Sequence, residues 1–355
     1  MPDIEMRRDD LRSAREVPGE QRIQEAAPGE VQLAIASFGL SANNVTYGVL
    51  GDGMNYWQFF PASDPAWGRV PVWGFGDVIA SGVEGIEPGA RYYGYYPMSS
   101  LLTVRADPRP RGFVDTADHR AALPPVYNEY ALIEPDAPHP DETLLLRPLF
   151  ATAFLLDAFL AEQAAGADAI VLSSASSKTA YSLAFLLSRN EGGPSVVGLT
   201  SEGNRAFVES MGTYDAVVAY DEIADSLAGD GALVYVDMSG DAAVREAVHT
   251  TAGDRLKRSA IVGATHWEQL AGGGELPGPA PELFFAPTHL VKLREELGGT
   301  ELGRRMDAAW DAYMEQVGDW IDVEHGEGTE AVEQAWMTLV DGRTDPRRGY
   351  VLSLP

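Results

Sequence analysis

The sequence predicts an α/β protein of two domains, one a β-rich barrel and the other a doubly wound parallel sheet. Up to about Arg147, short apolar strands alternate with turns rich in Gly and Pro, which is typical of a small β-barrel. From Ala169 onward, strands and helices alternate, which is the pattern of a parallel sheet covered by helices. The chain of 355 residues is long enough for two domains that each bury a hydrophobic core.

The β-rich part opens with residues 1–30, which are charged and interrupted by Pro and Gly, so we expect an edge hairpin or a partly ordered arm there. Four strands are predicted after it, at Val31–Phe38, Val70–Ala80, Ala90–Tyr96 and Tyr127–Ile133. Residues 39–53, GLSANNVTYGVLGDG, are rich in Asn and Gly and predict a loop. The aromatic run Asn55–Phe60 after this loop either packs beneath it or forms the wall of a pocket.

A long apolar helix at Leu149–Gln163 introduces the part in which strands and helices alternate. Its predicted strands are Ala169–Leu172, Ser195–Leu199, Ala216–Ala219, Leu233–Val236 and Ser259–Val262, with Glu282–Ala286 as a sixth candidate. Helices at Thr288–Leu297, Leu302–Gln316 and Glu330–Val340 and a strand at Tyr350–Leu354 complete the chain. We therefore assign residues 148–286 to the parallel-sheet domain, and residues 1–147 and 287–355 to the barrel domain.

The composition excludes several classes of partner. A formal net charge of −27 disfavours nucleic acids and anionic membrane surfaces. Either a compositional bias toward arginine or adaptation to high salt explains this acidity, and the sequence leaves both open. No apolar run approaches the roughly 20 residues that span a bilayer, and the N-terminus MPDIEMRRDD lacks the apolar core of a signal peptide. We expect a soluble, cytoplasmic protein with no nucleic-acid or membrane partner.

The residues that ligate metals are scarce. The chain has no Cys, which excludes disulfides and thiolate zinc sites. Its histidines show no paired ligand spacing; they are His119, His139, His249, His266, His289 and His325. We therefore expect a protein without a metal.

The segment Ala169–Arg189 carries the main functional signal, because it predicts a strand, a loop of small hydroxyl residues and a helix. Free N–H groups at such a helix start bind phosphate. The pair Lys178-Thr179 resembles the end of a P-loop, which binds nucleoside triphosphates, but Ser173 and Ser177 stand in place of its glycines. Asp237, at a strand end, is the only candidate partner for magnesium. A Schiff-base lysine for a pyridoxal cofactor is a further alternative, which the surrounding pattern disfavours.

A dinucleotide loop is the third alternative, and the segments around the loop favour it. The residues that would surround the pyrophosphate are Ser174, Ser176, Ser177, Lys178 and Thr179. At the end of the next strand, Thr200 and Ser201 with nearby Arg205 favour NADP over NAD, because hydroxyls and an arginine suit a 2′-phosphate. A solvated helix start with an N-cap explains the same residues equally well.

The order of these elements resembles the medium-chain dehydrogenase/reductase superfamily, in a divergent bacterial branch that is zinc-free and similar to quinone reductases. The resemblance rests on VPVWGFGDVIASGVEGIEPGARYYGYYP (Val70–Pro97), on YNEYALI, on RPLFATAFLLDAFL, and on EAVEQAWMTLVDGRTDPRRGYVLSL near the C-terminus. It implies a GroES-like β-barrel domain and a Rossmann-type dinucleotide-binding domain. The loop SSASSKTA departs from the superfamily pattern, because it lacks the usual glycines.

The resemblance also implies site residues. Asn43, Asn44 and Tyr47 match the loop that faces the nicotinamide. Asn44 and Tyr47 are the catalytic candidates, with core packing as the alternative for Tyr47, and Asn43 is a candidate for the substrate pocket. Thr152 matches a residue beside the nicotinamide ribose or carboxamide.

Three further residues are candidates for the substrate pocket, and one more for the cofactor. Tyr56 and Trp57 would form pocket wall. His266 and Trp267 follow a strand at its carboxyl end, where ligands bind in open α/β sheets, so His266 is expected near the cofactor and Trp267 near the substrate.

Together these features predict a metal-free reductase that uses NADPH, with NAD as the alternative cofactor. The predicted substrate is a small molecule with a conjugated carbonyl, such as an enone, a quinone or an enoyl compound. The resemblance implies a homodimer formed through the edge of the nucleotide-domain sheet. A scaffold that has lost redox activity and acts as a binding or structural partner is the alternative, and the glycine-free loop favours it.

Overall fold

The computed structural model describes residues 1–262, 276–342 and 344–355. The backbone forms two compact units, Met1–Leu145 with Ile321–Pro355, and Leu146–Trp320. The sequence places the return to the barrel domain at residue 287, whereas the first unit resumes at residue 321. The helices in between belong to the second unit because their aromatic residues pack there; Tyr313, for example, stacks on Phe150 at 4.9 Å and accepts a hydrogen bond from Ser182 at 2.8 Å.

The first unit contains eleven of the described strands. They are β1 (Pro2–Arg7), β2 (Ala14–Pro18), β3 (Glu30–Leu40), β4 (Trp67–Gly68), β5 (Pro71–Ser81), β6 (Arg91–Pro97), β7 (Leu101–Arg109), β8 (Gly112–Asp115) and β9 (Glu129–Ile133), with β16 (Asp322–Glu327) and β17 (Arg348–Ser353) near the C-terminus. Strand β1 pairs with both β2 and β4 and buries Ile4 and Met6. The N-terminal segment therefore forms an ordered hairpin, which is one of the two alternatives expected from the sequence.

Six strands close a barrel in the order β3-β5-β6-β9-β8-β7, because β7 pairs back onto β3. Every pairing in this ring is antiparallel. Strand β17 extends the sheet beside β3, and β16 pairs parallel to β17. The structure confirms the predicted barrel, and it adds β7 and β8, which complete the ring and which the sequence pattern did not indicate.

The loop predicted for residues 39–53 is wrong, because Ala42–Val49 form helix α1. Asn44 stabilises the first turn, since its Oδ1 accepts a hydrogen bond from the Ser41 N–H at 2.8 Å. The helix also buries Tyr47 and Gly48, and a Cβ at Gly48 would lie 3.0 Å from Leu11. Tertiary packing thus overrides the weak helix propensity of the Asn, Thr and Gly residues.

The second unit contains a parallel sheet. Its strands are β10 (Ala169–Leu172), β11 (Ser195–Thr200), β12 (Ala216–Ala219), β13 (Leu233–Asp237), β14 (Leu256–Ile261) and β15 (Glu282–Leu283). They pair in the order β12-β11-β10-β13-β14-β15. All neighbours are parallel. Numbered within the sheet, this is the order 3-2-1-4-5-6 of dinucleotide-binding folds, which confirms the predicted Rossmann-type topology.

The helices of the second unit cover this sheet. They are α2 (Pro140–Gln163, which begins in the first unit), α3 (Lys178–Ser188), α4 (Glu202–Ser210), α5 (Ile223–Ser226), α6 (Ala242–Ala252), α7 (Ala286–Leu297) and α8 (Gly299–Val317). Helix α9 (Thr329–Val340) belongs to the first unit. The core of the sheet includes Val171, Leu199 and Tyr235, each fully buried.

Among the described residues, α2 is the one helix that is long and apolar enough to cross a membrane by length and composition. The expectation that no apolar run approaches this length is wrong for this helix. Half of its most apolar window is buried inside the protein, and Phe150 packs on Trp310 and Tyr313 of α8. This packing places the apolar face of α2 in the core of the second unit.

A substitution at Gly94 in β6 tests the packing of the barrel. A Cβ at this position would lie 2.3 Å from the ring of Tyr130, whose hydroxyl donates to the Tyr95 carbonyl at 2.6 Å and cannot move freely. We expect Gly94→Ala to lower the free energy of unfolding by about 1–3 kcal/mol through overpacking, as measured by urea denaturation. As a matched control, Gly303→Ala in α8 meets no atom within 4 Å and should be neutral or stabilising. Equal effects of the two variants would contradict this packing.

Candidate functional site

The hydroxyl-rich loop follows β10 at the point where the sheet reverses its strand order. Strand β10 lies between β11 and β13, so the chain leaves β10 toward one edge of the sheet and leaves β13 toward the other. In open α/β sheets, ligands bind outside the carboxyl ends of the strands at such a switch point. The loop Ser173–Ser177 therefore lies where a ligand of this fold is expected.

Asp237 connects the carboxyl ends of the two central strands. Ser173, the first loop residue, donates its hydroxyl to Asp237 Oδ1 at 2.9 Å. The same carboxylate oxygen accepts hydrogen bonds from the backbone N–H groups of Ser239 at 3.1 Å and Gly240 at 2.9 Å. One buried carboxylate thus fixes both the loop after β10 and the loop after β13.

Arg245 of α6 neutralises this carboxylate. Its Nη1 lies 3.1 Å from Asp237 Oδ2, and the side chains of both residues are almost completely buried. A buried ion pair of this kind has a large desolvation cost, which is offset only when the hydrogen bonds around it are satisfied. The bonds from Ser173, Ser239 and Gly240 satisfy the aspartate, so the pair and the loops form one unit.

The loop itself is held by β11 and by two tyrosines that flank β12, Tyr214 and Tyr220. Ser174 has a φ of 50°, in the left-handed region that favours glycine, and its N–H donates to the Tyr220 hydroxyl at 3.1 Å. The Ala175 N–H donates to the Leu199 carbonyl at 2.9 Å. The Tyr214 hydroxyl donates to the Ala175 carbonyl at 2.8 Å. These bonds fix the loop without the glycines that a dinucleotide loop usually contains.

Gly198 of β11 allows the loop to approach the strand closely, because it has no side chain. A Cβ at Gly198 would lie 2.9 Å from the Ala175 Cβ and 2.8 Å from the Tyr214 ring. The loop can therefore pack directly on the neighbouring strand although its own residues carry side chains. Gly198 is not recognisable from the sequence, because a glycine inside a strand is not part of the loop motif.

The donors at the start of α3 fit a phosphate. Ser177 is the N-cap and accepts from the Ala180 N–H at 3.4 Å. Lys178 and Thr179 are the first two residues of the helix, and the N–H groups of a first helical turn have no acceptor within the helix. Ser176 accepts from Asn204 Nδ2 at 3.2 Å, which connects the loop to α4. Hydroxyls, a lysine and a helix N-terminus form the donor set that an anionic pyrophosphate requires.

The residues expected around a 2′-phosphate lie at the end of β11. Thr200 is buried, whereas Ser201 is exposed and forms the N-cap of α4 without a side-chain cap bond. Arg205 is paired with two carboxylates, because its Nη2 lies 2.5 Å from Glu222 and its Nε lies 2.8 Å from Glu202. The hydrogen bond with Arg205 holds the pKa of Glu222 below its usual value. The guanidinium is thus engaged by the protein, and the donors at this end do not fit a 2′-phosphate as they stand.

Two other predicted cofactor and substrate residues, His266 and Trp267, lie outside the described residues. Thr152 lies in α2, where its hydroxyl donates to the Pro148 carbonyl one turn earlier at 3.2 Å. This carbonyl contact accounts for the Thr152 hydroxyl, and its expected place beside a nicotinamide stays a prediction.

The catalytic candidate Asn44 has a structural role in the barrel unit. Its Oδ1 binds the Ser41 N–H, and its Nδ2 donates to the Pro71 carbonyl of β5 at 3.0 Å. Both ends of the amide therefore stabilise the position of α1 on the barrel. A role in catalysis stays a prediction for this residue.

Tyr47, by contrast, lies in an extended cluster of aromatic side chains. Its ring centroid is 4.7 Å from that of Tyr56 and 5.7 Å from that of Tyr95, and its hydroxyl accepts from Trp73 Nε1 at 3.4 Å. Burial raises the pKa of Tyr47, and hydrogen bonds with Trp73, Asn43 and Tyr95 oppose this shift. Tyr47 therefore stays a neutral phenol that can donate a hydrogen bond.

Tyr56 belongs to the same cluster, together with residues that the sequence analysis did not identify. Its hydroxyl lies 3.3 Å from that of Tyr127, and Trp73 and Tyr95 pack beside them. Trp57 is wedged between two glycines, because a Cβ at Gly51 or at Gly68 would lie 2.0 or 2.3 Å from its ring. The packing alternative therefore accounts for the burial of Trp57, whereas Tyr47, Asn43 and Tyr56 converge on one cluster.

The described part of the chain contains no group of three or more His, Asp or Glu side chains that could hold a metal ion. The expectation of a protein without a metal stays a prediction.

The buried pair Asp237–Arg245 predicts a specific pattern of stability. We expect Asp237→Asn to lower the free energy of unfolding by about 3 kcal/mol, because it leaves the Arg245 charge buried without a partner. The double variant Asp237→Asn, Arg245→Met removes that charge and should be more stable than the single variant in urea denaturation. A double variant no more stable than the single one would contradict the role of the ion pair.

Comparison with solved structures supports the fold. The structure is similar to CurA in complex with NADPH from Vibrio vulnificus, with a TM-score of 0.63, 13% identity, and coverage of 100% of this chain and 99% of that chain. It is also similar to the CurK enoyl reductase, with a TM-score of 0.62, 16% identity and coverage of 100% and 99%. Escherichia coli K-12 YhdH with bound NADPH gives a TM-score of 0.57, 12% identity and coverage of 99% of each chain. The two-domain fold implied by the resemblance to medium-chain dehydrogenases/reductases is confirmed.

Sequence comparison identifies the family. No curated protein matches this chain significantly. The model of the DUF2855 family matches residues 38–345, which is most of the sequence. The chain therefore belongs to DUF2855, a family described as proteins of unknown function.

Proposed function

We propose that this protein is an NADPH-dependent oxidoreductase that reduces a small molecule with a conjugated carbonyl group, such as an enone, a quinone or an enoyl compound. The observation that carries the proposal is the hydroxyl-rich loop Ser173–Ser177, which lies at the switch point of a sheet with the order 3-2-1-4-5-6 and leads into the N-terminus of α3. Proteins of similar fold add support, since CurA and YhdH are described with NADPH, and CurK as an enoyl reductase.

The loop and the helix start bind the pyrophosphate in this proposal. Ser176, Ser177 and Thr179 donate hydrogen bonds together with the N–H groups of the first turn of α3, and Lys178 contributes a positive charge. The buried carboxylate of Asp237 keeps this loop in place through Ser173. NADPH, when bound, supplies the hydride for the reduction.

Tyr47 orients the carbonyl group and stabilises the charge that develops on its oxygen. Burial keeps its hydroxyl protonated, and the contact with Trp73 holds the phenol ring in one orientation. A preorganised donor in a site shielded from water stabilises a developing oxyanion more than solvent does. Asn43 hydrogen-bonds with this hydroxyl, and the Tyr56 ring packs against the Tyr47 ring. The aromatic rings around the hydroxyl favour a flat, uncharged substrate.

The proposal includes the remaining expectations from the sequence: a soluble cytoplasmic enzyme, no metal, no nucleic-acid or membrane partner, and a homodimer. Light scattering at micromolar concentration tests the dimer, and a monomer would contradict it.

A scaffold without redox activity is the second candidate, and one observation favours it. The loop lacks glycine, and Ser174 occupies a left-handed conformation that glycine would adopt more readily. Such a protein would bind a partner or a dinucleotide without transferring a hydride.

Binding and turnover of NADPH distinguish the two candidates. A ligand that binds only the folded state raises the melting temperature, so millimolar NADPH should stabilise the protein. Consumption of NADPH in the presence of a panel of enones, quinones and enoyl thioesters then indicates catalysis. Stabilisation without consumption of NADPH favours the scaffold, and no stabilisation overturns the proposed function.

Lys178 tests the phosphate loop directly. We expect Lys178→Ala to weaken NADPH binding about tenfold, because a charge-assisted contact with a phosphate is lost. Titration of tryptophan fluorescence with NADPH measures the dissociation constant. Lys257→Ala is the matched control, because Lys257 is exposed and contacts the Asp254 carbonyl in another part of the chain. Equal affinities of the two variants would remove the role of Lys178.

Tyr47→Phe tests the donor in the aromatic cluster. We expect kcat/KM to fall about a hundredfold while the dissociation constant of NADPH stays unchanged, because the variant removes a donor that acts in the transition state. Tyr92→Phe, a buried tyrosine of β6 that packs on Phe113, is the control and should leave kcat/KM unchanged. A Tyr47→Phe variant with wild-type kcat/KM would show that this tyrosine serves packing alone.

A further inference from the structure

Arg205 is clamped by acidic side chains from two elements. Glu202 lies in the first turn of α4, three residues before Arg205, and its carboxylate is 2.8 Å from Arg205 Nε. Glu222 lies in the turn after β12, and its carboxylate is 2.5 Å from Arg205 Nη2. We call these three residues the Glu202–Arg205–Glu222 clamp. It lies beside the carboxyl ends of β11 and β12, because α4 follows β11 and the Glu222 turn follows β12.

The clamp places a carboxylate oxygen within ion-pair distance of two of the three guanidinium nitrogens. Arg205 is half-buried, whereas both glutamates are more exposed. The hydrogen bonds with the glutamates raise the pKa of Arg205, and the bond with Arg205 lowers the pKa of Glu222. Arg205 and Glu222 are therefore both charged near neutral pH.

The charges of the clamp oppose the binding of the 2′-phosphate of NADPH. One guanidinium faces two carboxylates, so the three groups together are negative. A phosphate monoester such as the 2′-phosphate of NADPH carries a charge of about −1.5 to −2 near pH 7. To reach Arg205, this phosphate must displace a carboxylate or lie beside it, and both cost binding energy. The hydroxyl groups of NADH at the same position carry no charge and meet no such opposition.

We infer that Glu202 and Glu222 determine nucleotide specificity, by weakening the preference for NADPH over NADH that Arg205 alone would confer. This inference rests on the proposed function, because it concerns the dinucleotide of the same site. The exposed hydroxyl of Ser201, at the N-terminus of α4, is the donor that remains for either nucleotide. The proposed reductase thus binds NADH as well as NADPH, and the clamp sets the ratio of the two affinities.

Dissociation constants for NADPH and NADH in matched variants test the clamp. We expect the wild-type protein to bind NADPH less than about tenfold more tightly than NADH. Glu222→Gln should tighten NADPH binding about fivefold and leave NADH binding unchanged, because one repulsive charge is removed at an exposed site. The double variant Glu202→Gln, Glu222→Gln should extend the gain to about tenfold or more. Arg205→Ala in that double background should abolish the gain.

Asp221→Asn is the matched control, because Asp221 is a neighbouring exposed acid outside the clamp, and its substitution changes the net charge equally. It should change the ratio of the two dissociation constants less than about twofold. A Glu222→Gln variant that changes NADPH and NADH binding equally, or neither, overturns the inference, as does a wild-type preference for NADPH of about a hundredfold. A folded wild-type protein that binds neither dinucleotide overturns the proposed function, and the inference with it.

Discussion

The second unit depends on one buried carboxylate. Asp237 ends a central strand of the parallel sheet, and its oxygens bind Ser173 from the loop after the neighbouring strand, two backbone N–H groups of its own loop, and Arg245 of α6. Because an unpaired buried charge is costly, all these partners must be in place together. The carboxylate therefore fixes the two loops at which a dinucleotide fold binds its ligand.

The contacts around the loop explain how it keeps its conformation without glycine. A dinucleotide loop needs a tight turn and a close approach to its neighbouring strand. Here the turn is made by Ser174, whose left-handed backbone is held by Tyr220, and the close approach is provided by Gly198 on the strand instead of by the loop. The hydroxyl side chains that replace glycine then become donors. The same physical requirements are thus met by other residues, which is why the loop lacks the glycine pattern of the superfamily.

The candidate site residues fall into two groups. For some of them packing contacts account for their burial, whereas others can still take part in binding or catalysis. The contacts of Asn44 and Trp57 with the backbone and with glycines account for their burial. Tyr47 and Tyr56 instead pack in one aromatic cluster, and Asn43 hydrogen-bonds with the neutral hydroxyl of Tyr47. Arg205 is a third case, because its residue type suits a phosphate while its two glutamate partners oppose one. Residue type alone predicts a donor, and the neighbours decide what the donor can bind.

The sequence by itself determined the fold class and most of its strands, because hydrophobic runs such as Ala169–Leu172 and Ala216–Ala219 depend on local burial patterns that are visible in the chain. It also located the hydroxyl loop. Only the tertiary structure decided that residues 42–49 are helical, that β7 and β8 close the barrel, and that α7 and α8 belong to the second unit. It alone joined Asp237 to Ser173 and Glu222 to Arg205. These outcomes depend on contacts between residues far apart in the chain, and no local pattern of residues records them.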